Sequence, residues 1–67
     1  MAITVDELTR DDLEEALRAI ASTIRKCEKV EPKLARGSSQ HTLLTRRIKA
    51  LYVASALIER ELGHAGT

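Results

Sequence analysis

Leu43–Leu62, LLTRRIKALYVASALIEREL, is the stretch whose reading decides the fold. At about 100° per residue, Leu44, Ile48, Leu51, Ser55, Ile58 and Leu62 fall on one helical stripe. Their alternating spacing is the seam pattern of helices packed side by side. A second set, Leu43, Ala50, Ala54 and Leu57, lies beside that seam, and Tyr52, Val53 and Ala56 spread over the side the pattern assigns to solvent. No charged residue occurs from Ala50 to Ile58. A surface helix ordinarily carries one apolar stripe and a polar back, so a helix this apolar needs burial on more than one side. The run is far shorter than the roughly 20 apolar residues that cross a bilayer. Arg46, Arg47 and Lys49 before it, and Glu59, Arg60 and Glu61 after it, also speak against a membrane. The expectation is burial against another copy of the chain or another protein.

Upstream, Leu13, Leu17, Ile20, Ile24 and Cys27 repeat the same seam spacing, widened by Ala16, Thr23 and Val30. Arg18, Ser22, Arg25 and Lys29 form the polar back of this first helix, and Glu14 is placed to pair with Arg18 four residues on. Thr4 with Glu7, stapled by Ile3 and Leu8, reads as a capping box, and Thr9 with Asp12 as a second, weaker one. Asp11, Asp12, Glu14 and Glu15 sit in the first turns, where the helix dipole favours negative charge. They read as dipole partners rather than as paired catalytic carboxylates. Pro32 is expected to end the helix by pushing Glu31 out of the helical region, with one further turn over Lys33–Arg36. Gly37 then gives a turn or stop, and Ser39 is the expected N-cap of the second helix, ahead of Ser38. Gly63 is its expected C-terminal stop.

The chain therefore reads as all-α, an antiparallel two-helix hairpin in one small domain. It has a short turn at 5–8, helix 1 over about 10–30, a loop at 31–38, helix 2 over about 39–62 and a frayed tail at 63–67. A chain of 67 residues buries only about 60% of its unfolded surface and is marginal alone. Small scaffolds usually add disulfides, a metal or oligomerisation. Cys27 is the only cysteine, so no internal disulfide forms, and the two histidines and scattered carboxylates have no metal-ligand spacing. Oligomerisation is the support that is left, and two hairpins dimerising into a four-helix bundle is the expected form. One cysteine, with no basic N-terminal region or apolar run of a signal peptide, suits a reducing cytoplasm.

The net charge of +1 conceals a division along the chain. Residues 1–15 hold six acids and one base, whereas residues 16–50 hold nine bases and two acids. A hairpin gathers the bases, Arg25, Lys26, Lys29, Lys33, Arg36, Arg46, Arg47 and Lys49, at its loop end. The acids gather at the end with the termini. Two hairpins packed in opposite directions would set acidic end beside basic end. With Ala54 on a two-fold axis and the two copies of helix 2 antiparallel, Arg47 faces the partner's Glu61 and Ala50 faces the partner's Ile58. The expected self-association residues are therefore Leu43, Arg47, Ala50, Ala54, Leu57 and Glu61.

For other chemistry the residues give less. The start of helix 2, Gly37–His41, makes Arg36, Ser38, Ser39, Arg46 and Lys49 candidate contacts for a small anion or nucleic acid, because a helix N-terminus offers free N–H groups. The stretch lacks the Gly–Lys pattern of a phosphate loop, so a plain cap beside a solvated basic turn accounts for it. His41 reads as a partly buried polar residue and Cys27 as a small core residue. Ser39-Gln40 resembles the opening of the Ser-Gln-x-Leu-Asp signature of small sporulation phosphatases acting on phosphorelay proteins. His41, Thr42 and Leu43 follow with no Asp, so nothing about activity is implied. No nucleophile–base pair, metal set or cofactor loop can be assembled, so no enzyme activity and no cofactor are expected. The expected role is a small non-catalytic interaction or regulatory protein. The alternative is a nucleic-acid-binding accessory protein using the basic loop end. Against it stand the near-neutral total and the single aromatic residue.

Overall fold

The first N–H groups of a helix have no partners within it, and Thr9 supplies one for the first long helix. Its hydroxyl accepts from the Asp12 N–H at 3.1 Å, while the Asp12 carboxylate accepts from the Thr9 N–H at 3.0 Å. This reciprocal box opens α1, Arg10–Val30. The structure, a computed structural model, describes residues 3–65. Ahead of α1 a 3-10 turn spans Val5–Glu7. The box expected from Thr4 and Glu7 is not formed, because the Thr4 carbonyl itself takes the Glu7 N–H, at 3.1 Å. In the next turn Glu14 pairs backward with Arg10, at 3.0 Å, rather than forward with Arg18. Both side chains are exposed enough that the pair adds little to stability.

Pro32 does not push Glu31 out of the helical region. Glu31 keeps φ −51° and ψ −46°, its N–H still bonds the Cys27 carbonyl, and the chain tightens into a 3-10 turn over Glu31–Lys33. Pro32 sits in the first turn of that segment, where its missing N–H is not needed. The Glu31 carboxylate is also held, 2.9 Å from His41 Nε2. Instead of a turn over Lys33–Arg36, Leu34 is extended, and the Ser38 N–H bonds the Ala35 carbonyl at 3.1 Å. Gly37 supplies the positive φ of 80° within this turn.

The second helix, α2, spans Ser39–Ala65. Its cap is Ser38, one residue earlier than expected. The Ser38 hydroxyl accepts the His41 N–H at 3.1 Å, and its carbonyl accepts the Thr42 N–H at 3.0 Å. At the other end Gly63 is a helical residue rather than a stop. A terminating glycine works through positive φ, which Gly63 lacks. Of the tail expected at 63–67, residues 63–65 continue α2, and the last two lie outside the described residues.

The two helices run side by side and antiparallel. Glu31 meets His41 near the loop, Glu28 meets Tyr52 midway, and Leu13 adjoins Leu57 and Ile58 toward the termini. All described residues outside the connections are helical, with no strand. Both seams lie where the periodicity put them. Leu13 and Ile24 are buried, Leu17, Ile20 and Cys27 half-buried, and Leu44, Ile48, Leu51, Ser55, Ile58 and Leu62 half-buried opposite them. Even so, Leu13 at 8% and Ile24 at 7% exposure are the whole of the buried apolar core among the described residues. Two helices make one layer, and a layer has no interior away from its seam. The dimensions, 44 × 21 × 15 Å, are those of such a layer. The radius of gyration is 14.4 Å, against about 11 Å for a compact chain of this length.

Candidate interaction face

The two broad sides of the hairpin differ. On one, the back, two polar contacts bridge the helices. The Tyr52 hydroxyl donates to Glu28 Oε2 at 2.8 Å, and His41 Nε2 lies 2.9 Å from Glu31 Oε1 with its side chain 16% exposed. The Glu28 carboxylate pushes the Tyr52 phenol above its ordinary value of 10.0, because ionisation would cost the hydrogen bond, and burial and charge act the same way. At about 100° per residue, Tyr52 and His41 lie on one side of the α2 seam and the set Leu43, Arg47, Ala50, Ala54 and Leu57 on the other.

That other side, the front, is a row of shallow apolar depressions along the groove between the helices. Near the loop, Val30 and Leu34 face Leu43, Leu44 and Arg47. Midway, Thr23 and Cys27 face Arg47, Ala50 and Leu51. Toward the termini, Leu13, Val5 and Leu8 line a depression with Leu57, Ile58, Arg60 and Glu61. Here α2, at 27 residues, outruns α1, at 21, and Val5 and Leu8 line the depression beside Leu57 and Glu61. Leu43 at 51%, Leu57 at 57%, Val5 at 64% and Val30 at 44% exposure are large apolar side chains left in water on this side. Arg47 and Glu61 border the row near its two ends, both exposed. Among the described residues neither has an ion-pair partner within the chain.

Each expected self-association residue is thus placed on one face. Leu43, Arg47, Ala50, Leu57 and Glu61 are exposed there and Ala54 is half-buried. The contributions of Thr23, Cys27 and Val30 from α1, of Leu34 from the loop and of Val5 and Leu8 were not expected. Thr23 and Val30 flank the α1 seam in the periodicity, but only the handedness of the hairpin tells which α2 stripe shares their side. The two bridging pairs on the back leave only a weak trace in the sequence, polar residues bordering both seams.

The residues named for anion contact are more dispersed. The Ser38 hydroxyl is committed to the His41 N–H, while Arg36, Ser39, Arg46 and Lys49 are exposed. A rise of about 1.5 Å per residue puts Arg46 and Lys49 roughly 10 and 15 Å along α2 from Ser39. Among the described residues no cluster of His, Cys, Asp and Glu has the arrangement to hold a metal ion, and no helix is long and apolar enough to cross a membrane. The chain matches no protein-family model, and neither a curated protein nor a solved structure is significantly similar to it.

Proposed function

We propose that this chain is a small non-catalytic interaction or regulatory protein that works through protein–protein contact at the front face of the hairpin. Its first partner is a second copy, with which it forms a four-helix bundle. The observation that carries this reading is the row of apolar depressions on the front, set against the polar bridges on the back. A helix pair with an open apolar groove and charged ends suits recognition by packing rather than chemistry. The exposed area supports it as well. The chain presents 5511 Å² to solvent, whereas a compact protein of its mass presents about 4,200 Å². The excess is of the order of the roughly 800 Å² per partner that a stable interface covers. The unpaired thiol of Cys27 fits a reducing cytoplasm.

Two differently tagged copies expressed together test the proposal. Capture of one tag is expected to recover the other, with any further protein partner, and Leu57→Asp is expected to abolish the recovery by placing a carboxylate in the apolar row. Equal recovery with and without that substitution, or none with the unaltered chain, would sink the reading.

A second reading has one observation in its favour. Arg25, Lys26, Lys29, Lys33, Arg36, Arg46 and Lys49 are all exposed toward the loop end, and the nearby Glu28 and Glu31 carboxylates are engaged with Tyr52 and His41. This leaves a net positive end that suits phosphate contacts. Binding to duplex DNA or RNA that falls steeply with added salt would favour it over the protein-contact reading.

A further inference from the structure

Resting on the reading of the front face as a self-association surface, we infer that its occupant is a second copy in one register. The two α2 helices lie antiparallel, with the two-fold axis at Ala54 and Arg47 of each copy paired with the partner's Glu61. A two-fold interface must be self-complementary, each feature meeting its counterpart rotated by a half-turn about the axis. The front face of α2 has that property in its charges.

Arg47 lies seven residues before Ala54 and Glu61 seven after it. Both border the same row of depressions, and both lack a partner in their own chain among the described residues. Seven residues are two helical turns, about 10 Å to either side, so an antiparallel copy sets each arginine against a glutamate. A parallel copy would set arginine on arginine. The same register brings apolar surface of the two copies level. Leu57, 57% exposed, falls opposite the partner's Leu51. In each copy Leu51 lines the mid-face depression with Thr23, Cys27, Arg47 and Ala50. The half-buried Ala54 on the axis and the small Ala50 beside it let the backbones approach closely. A foreign partner would have no reason to match this internal symmetry.

Charge reversal reads the register directly. Arg47→Glu, Glu61→Arg and the double variant are compared with the unaltered chain by sedimentation equilibrium, using samples whose helicity by circular dichroism is unchanged. Both side chains are exposed in the single chain, so the reversals break no contact within it, and the helicity check separates loss of the pair from loss of the fold. Each single reversal should weaken the dimer by about tenfold or more, and the double variant should recover most of that loss. A dimer indifferent to the single reversals, or a double variant as weak as the two losses combined, overturns this register while leaving self-association standing. An unaltered chain that stays monomeric overturns both the register and the reading beneath it.

Discussion

Ser38 and Ser39 show how a single residue's role is set by its neighbours. Both are good N-cap residues, and nothing local to the pair separates them. The turn before them decides: Gly37 at φ 80° delivers Ser38 with its hydroxyl on the His41 N–H. Ser38→Ala should cost about 1 kcal/mol of stability, while Ser39→Ala should be close to neutral, as thermal melts of the two variants would show. Tyr52 makes a second residue-scale prediction. Its O–H donates to the Glu28 carboxylate, so the folded chain holds the phenolic proton above the ordinary 10.0. The bond's stabilisation is fully present below the unfolded value near 10 and is lost as pH rises through the higher folded one. An absorbance titration of the phenolate should place its midpoint above 10.0, and Glu28→Gln should move it back down. The Tyr52–Glu28 contact was not legible in the sequence, since an exposed tyrosine on a helix back names no partner until the pairing of the two helices is known.

At the scale of the elements, periodicity is the signal that survives. The seam residues of both helices are the least exposed because apolar residues repeating every three or four positions bury together in one packing only. Element ends are less legible, because competing signals there differ by fractions of a kcal/mol. The better-looking box at Thr4 loses its N–H to a backbone carbonyl, and the weaker one at Thr9 caps the helix. Gly63 looks like a stop yet continues α2, whereas Gly37 does what only glycine does easily. The two glycines should respond oppositely to alanine. Gly37→Ala introduces a side chain at φ 80° and should destabilise the hairpin by about 1–2 kcal/mol. Gly63→Ala meets nothing within 4 Å and should raise helicity, with a gain of roughly 0.5–1 kcal/mol. Circular dichroism with chemical denaturation of both variants checks the signs. Stabilisation by Gly37→Ala would contradict the turn geometry, and loss by Gly63→Ala would mean that α2 ends before Ala65.

For the whole molecule, a pair of helices in one layer cannot hide its own apolar residues. Leu13 and Ile24 are buried, while Leu43 and Leu57 stand in water on the face opposite the Tyr52–Glu28 and His41–Glu31 bridges. The surplus of apolar residues on α2 was legible in the sequence as a helix with too many buried-type sides. The composite face was not, because residues from α1, the loop and the N-terminal turn join it only once the hairpin has a hand. The mass of the unaltered chain in solution, by light scattering across a range of concentrations, tests the central claim most directly. Association through the front face predicts a stable particle of twice 7.4 kDa that dissociates only on dilution. A cooperatively folded 7.4 kDa particle at every concentration would contradict it.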